Sequence, residues 1–87
     1  MEFKEKKEQL SMIDEEILLA DGFDDALIGY LERFGMPVIA VYNRDKCIKI
    51  LMERDGMEHE EAEEYFEYNV TGAWMGEYTP SFITLLE

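Results

Sequence analysis

A single cysteine, Cys47, is the only thiol in the chain, which excludes an internal disulfide framework and any multi-cysteine zinc site. Basic side chains are scarce as well: eight stand against twenty-one acidic ones, for a formal charge of -13. That excess repels nucleic acid, nucleotides and anionic membrane surfaces at long range, so direct nucleic-acid or membrane binding is not expected and a protein partner with a basic surface is. No apolar run approaches the ~18 residues of a membrane span. The N-terminal stretch MEFKEKKEQLSMIDEE has no apolar core of the signal-peptide kind, so the expected location is the cytoplasm. There is no Gly-rich phosphate cradle and no paired His/Cys spacing, and no cofactor is expected.

What the chain does have is apolar material. With 47% hydrophobic and 13% aromatic residues it is too apolar to remain a disordered acidic tail. A chain of 87 residues has the material for one core and not for two, since at this size only ~60 to 65% of the unfolded surface is buried. In residues 1–12 Lys, Glu and Gln alternate with few apolar anchors, which predicts a loose or frayed helical arm. Residues 13–87 then form a single domain.

The charge is unevenly spread. Between Lys7 and Arg33 there is no basic residue, and from Asp55 to the C-terminus there is none either. Basic side chains gather at Lys4, Lys6 and Lys7, at Arg33, and in the stretch Arg44, Lys46, Lys49, Arg54. Two acidic surfaces and one mildly basic patch follow from that distribution.

Pattern and punctuation predict an α+β domain in ββααβ order, with two helices packed on one face of a small, mainly antiparallel sheet. The apolar run Ile17, Leu18, Leu19 within 13–20 fits a short strand or a helical turn equally. Alternation over Ala26–Phe34, with Ile28, Tyr30 and Phe34 on one side, predicts a strand. Gly35-Met36-Pro37 then separates it from the β-branched run Val38–Tyr42, and the two form a hairpin. Asn43 suits a helix N-cap and Asp55-Gly56 a helix end, with Cys47, Ile48, Ile50, Leu51 and Met52 forming an apolar face between them. Ala62, Tyr65, Phe66, Asn69, Val70, Ala73 and Trp74 recur at helical spacing, which predicts a second, amphipathic helix running through Trp74. Phe82, Thr84 and Leu86 alternate with Ile83 and Leu85, as in a third strand over Ser81–Leu86.

The blocks DGFDDALIGYLERFG, VYNRDKCIKILMERDGM and EEAEEYFEYNVTGAWMGEYTPSF resemble a group of small uncharacterised proteins encoded by bacteriophages and found in environmental sequences. The resemblance spans roughly Asp21 to Phe82 and implies a phage-type accessory protein acting in the host cell. It supplies no catalytic residues, and Glu58 stands where a capping Thr or Ser is expected.

Candidate chemistry is sparse. His59 and Glu63 have the i, i+4 spacing of a metal pair, but two ligands do not make a site, and an exposed histidine in an acidic turn is the reading preferred. Asp21, Asp24 and Asp25 suit a hard cation, which gives the alternative of a small metal-assisted hydrolase or nucleotide-handling protein; turn chemistry around Gly22 explains the same residues. Cys47 lies on an apolar helix face and reads as an inert, buried thiol. Asn69, inside the apolar stripe, needs a hydrogen-bond partner, in backbone or in a pocket. Trp74, Tyr78 and Phe82 cluster near the end of the second helix and fit either a core lid or an interface anchor; Trp74, in phase with the stripe, reads as core, and Tyr78, after Gly76, as an exposed contact residue.

The strongest functional feature is the glutamate face Glu60, Glu61, Glu63, Glu64 and Glu67. Carboxylates at i, i+3 and i+4 stand ~5 to 6 Å apart, a density approaching that of nucleic-acid phosphates. With no basic residue nearby in sequence, the face and Tyr78 are the expected partner-binding residues of a noncatalytic protein, an inhibitor that mimics nucleic acid in a basic groove. A solvated, solubilising helix face is the plainer alternative. Exposed aromatics are also compatible with a homodimer.

Overall fold

The computed structural model describes residues 3–73 and 75–86. Within them the chain runs through α1 (Phe3–Ile13), a 3-10 turn (Asp24–Ala26), β1 (Leu27–Leu31), β2 (Ile39–Asn43), α2 (Arg44–Asp55), α3 (His59–Phe66), a π turn (Glu67–Thr71) and β3 (Ser81–Ile83). The fold is α+β.

Local chemistry sets the ends of α2. The Asn43 side chain accepts a hydrogen bond from the Lys46 amide at 3.1 Å, satisfying one of the helix's free N–H groups, and Gly56 ends the helix at φ 69°. That left-handed conformation is open to glycine without strain. One face of α2 buries Cys47, Ile48 and Leu51 against the sheet.

Strands β1 and β2 pair antiparallel from Leu27↔Tyr42 to Leu31↔Ile39, with a bulge between Leu27 and Gly29. Strand β3 pairs with β2 in parallel, Val41↔Ser81 to Asn43↔Ile83, so the sheet is mixed, in the order β1-β2-β3. The expectation of a mainly antiparallel sheet is corrected at this strand. Alternating side chains specify a strand but not its direction. Here residues 44–80 form a crossover carrying α2 and α3, the long connection that parallel neighbours require. The third strand also stops at Ile83, leaving Leu85 and Leu86 exposed.

Leu27, Tyr42 and Phe82 stand side by side on the core face of the three strands. Phe66 of α3 meets them: its ring lies edge-on to Phe82 at 4.9 Å and to Phe23 at 6.0 Å, while Tyr42 and Phe82 tilt together at 5.6 Å. Ala62 packs one turn before Phe66, and both are fully buried.

Four further expectations change. The arm over residues 1–12 is an ordered helix from Phe3 that docks, because Leu10 enters the core at 5% exposure and Lys6 donates to the Leu27 carbonyl at 2.5 Å. Residues 14–20 are neither strand nor helix. The Asp14 side chain accepts the Glu16 amide at 2.9 Å in a turn, and Ile17 to Ala20 then run half-buried to a hydrogen bond from the Ala20 amide to the Tyr42 hydroxyl at 2.8 Å. Strand β1 stops at Leu31, so Phe34 lies in a turn and is fully exposed. The stripe beyond Phe66 leaves α-helical phase because the Gly72 amide bonds to the Glu67 carbonyl, five residues back, at 3.0 Å. The π turn shifts the helical phase from Glu67 on, and Asn69 within it faces solvent instead of the core. Trp74 lies outside the described residues.

Phe66→Ala is expected to lower stability by about 3 to 5 kcal/mol and Leu10→Ala by about 2 kcal/mol, through the cavities they leave. Denaturant midpoints measure both. A Leu10→Ala midpoint equal to wild type would show that the docking of α1 does not depend on Leu10.

Candidate functional site

Helix α3 begins without a side-chain cap. Glu58 is extended at the N-cap and its carbonyl accepts the Ala62 amide at 2.9 Å, but its carboxylate makes no capping bond. With Ala62 and Phe66 buried, a repeat of ~3.6 residues per turn sends Glu60, Glu61, Glu63, Glu64 and Glu67 to the opposite arc.

The arc is not uniform. Arg44, at the start of α2, reaches across to Glu63 at 3.7 Å and Glu67 at 3.4 Å, with its guanidinium 5.7 Å from the centre of the Phe66 ring. This corrects the expectation that no basic residue lies near the glutamates: the neighbour is distant in sequence and is brought in by helix packing. His59 Nδ1 lies 2.9 Å from Glu63 Oε1, so the i, i+4 pair proposed for a metal is an internal pair. Glu60, Glu61 and Glu64 are exposed and make no ion pair among the described residues. On α3 the free carboxylates are therefore these three side chains.

The aspartate cluster comes apart. Asp24 and Asp25 line an open cleft of about 450 Å³ with Gly22, Ile50, Glu53 and Arg54, whereas Asp21 lines a different groove. Among the described residues no three His, Cys, Asp or Glu side chains are grouped to hold a metal ion. In that cleft Arg54 donates to the Gly22 carbonyl at 2.7 Å and makes a two-pronged pair with Asp55 at 3.1 Å on each prong, its guanidinium 5.8 Å from the centre of the Phe23 ring. The Arg54 hydrogen bond holds the Asp55 carboxyl below its usual range. Arg54 thereby ties the turn at Gly22 to the end of α2.

The second groove, about 200 Å³, lies between residues 19–23, the π turn and the approach to β3. Its walls include Leu19, Phe23, Val70, Ala73, Pro80 and Phe82, with Asp21, Asn69 and Thr79 as polar members. Asn69 satisfies its amide by donating to the Tyr65 carbonyl at 3.1 Å.

Tyr78, expected as an exposed contact, is half-buried and donates to Asp14 Oδ2 at 3.1 Å, a bond that pushes its hydroxyl up to about 12. It fastens the approach to β3 onto the turn after α1. Cys47 is fully buried, and burial pushes its thiol up to about 12. Burial does the same to the Tyr42 hydroxyl, against the opposing hydrogen bond from Ala20.

Arg44, Phe34 and the groove went unrecognised in the sequence. The charge pattern marked Arg44 as basic but not as a partner of α3, and Gly35 beside Phe34 was the signal that the strand had already ended. No helix among the described residues is long and apolar enough to cross a membrane. No protein-family model, curated protein or solved structure matches the chain.

Two measurements follow. A thiol reagent at neutral pH should leave Cys47 unmodified in the folded protein and react once denaturant unfolds it; fast labelling of the native state would contradict its burial. Stability should also fall as pH rises from about 9 to about 12. Over that range Cys47, Tyr42 and Tyr78 keep their protons when folded and lose them when unfolded, where ordinary values are ~8.5 and ~10. A denaturant midpoint that stays flat across that window would overturn the assignment.

Proposed function

We propose that the protein is a noncatalytic, phage-type accessory protein that binds a protein partner by laying the free glutamates of α3 into a basic groove, where they stand in for nucleic-acid phosphates. The observation that carries this reading is the division of the acidic arc. Arg44 takes up Glu63 and Glu67, while Glu60, Glu61 and Glu64 stay exposed and unpaired among the described residues. Spacings of i+4 and i+3 hold the Cβ atoms of Glu60 and Glu61 ~5 to 6 Å from that of Glu64, close enough for one basic groove to meet all three.

Stability accounts for Glu60 and Glu61 but not for Glu64. Glu60 and Glu61 lie in the first turn of α3, where the helix dipole favours each by ~0.3 to 1 kcal/mol when exposed. Glu64 lies beyond that turn and opposes Glu60 at i, i+4, a like-charge pair that destabilises by ~0.2 to 0.5 kcal/mol. The dipole favours Glu60 and Glu61 by more than that repulsion costs, whereas Glu64 has only the repulsion. The net charge of -13 supplies long-range attraction for a basic partner whichever side chains make contact.

The test is affinity capture from host lysate, with the captured protein identified by mass spectrometry and its binding then measured against a Glu61→Gln/Glu64→Lys variant. The variant's stability should stay within about 0.5 kcal/mol of wild type, since the new lysine pairs with Glu60 at i, i+4. Its binding should fall at least tenfold, and wild-type binding should weaken as salt rises. A partner held equally by both proteins, with affinity indifferent to salt, removes α3 from the interface.

A further inference from the structure

Phe34 has no role in its own fold. It sits second in a turn closed by the Met36 amide donating to the Arg33 carbonyl at 3.1 Å, with Gly35 third at φ 75°. A turn with positive φ at its third residue is compact and hydrogen-bonded, so this one holds the phenyl ring out at the hairpin tip. Tyr30, Leu31 and Met36 are exposed around it, and Arg33 makes no ion pair among the described residues.

The groove bounded by Phe23, Val70 and Phe82 is the matching feature. Its 200 Å³ falls below the ~300 to 1,000 Å³ of sites that take cofactor-sized ligands, which leaves room for a single large side chain. Asp21 lines it, and Met75 at its edge is exposed. An apolar knob next to Arg33 thus matches an apolar socket next to Asp21, neither of which makes an ion pair among the described residues, and aromatic anchors seated in pockets dominate many interfaces.

We propose that the occupant of the groove is Phe34 of a second copy of this chain, with Arg33 of that copy facing Asp21, the exchange being reciprocal in a two-fold dimer. In a two-fold arrangement both exchanges are made between the same two copies and the assembly stops at the dimer, whereas the same contact made head to tail would run on into a chain. Two chains of charge -13 repel each other, so the dimer forms more readily as salt rises from about 0.01 to about 0.15 M and the screening length falls from about 30 to about 8 Å. This is opposite to the salt response of binding to a basic partner through α3, so the two surfaces are separately testable.

Analytical ultracentrifugation at concentrations up to about 1 mM reads the result directly, since even weak pairs form there. The wild type should rise from monomer to a plateau at twice the monomer mass. Phe34→Ser, at a position that makes no core contact, should weaken dimerisation more than about tenfold. Arg33→Asp should weaken it, and Arg33→Asp/Asp21→Lys, which restores both the opposite charges and the net charge, should recover it. Melting curves check that each variant is folded. A monomer at every concentration and salt, a Phe34→Ser protein that dimerises as well as wild type, or a mass that climbs past the dimer without a plateau would each overturn the proposal.

Discussion

The edge-on packing of Phe66 between Phe23 and Phe82 sets the rotation of α3 about its axis, and the positions of its charged residues follow. Each edge-to-face pair adds ~0.5 to 1.5 kcal/mol beyond the apolar area it buries. Turning the helix by one residue, ~100° at 3.6 residues per turn, would drive Tyr65 or Glu67 toward the space Phe66 now fills. No buried cation among the described residues could receive a carboxylate there. The glutamates are therefore exposed as a consequence of the core, and Arg44 takes up the two nearest the seam with α2.

Around that core the irregular part of the chain is held by polar ties. Tyr42 accepts the Ala20 amide, Tyr78 reaches Asp14, and Arg54 bonds the Gly22 carbonyl. Backbone polar groups outside helices and strands still need partners wherever water is excluded, and side chains supply them here. These ties also shape the surface: Arg54 closes one side of the Asp24/Asp25 cleft, and the turn it anchors forms one wall of the apolar groove.

Much of this architecture was legible in the residues. Asn43 and Gly56 marked the ends of α2, and Gly35-Met36-Pro37 divided two strands that do pair as a hairpin. What escaped has common physical causes. A period of two carries no direction, so the parallel pairing of β3 was invisible. A lone Leu10 gives no periodic signal, yet it is buried in the core while Lys6 of the same helix bonds the Leu27 carbonyl. The stripe through Asn69 assumed α-helical phase throughout; the π turn breaks it at Gly72, where a side chain would meet the Glu67 carbonyl at 2.9 Å. In the acidic face, the glutamates were legible but their division was not. The contacts of Arg44 with Glu63 and Glu67 are made between helices, and spacing along one helix says nothing of them.

We propose that the acid left free on α3, rather than the carboxylates around the Asp24/Asp25 cleft, receives a basic surface. A titration of isotopically labelled protein with a lysine-rich peptide, followed by amide chemical shifts, tests this residue by residue. The largest shifts should fall at Glu60, Glu61 and Glu64, fade with added salt, and leave Asp24, Asp25 and Glu53 nearly unmoved. Largest shifts in the cleft, with α3 silent, would contradict it.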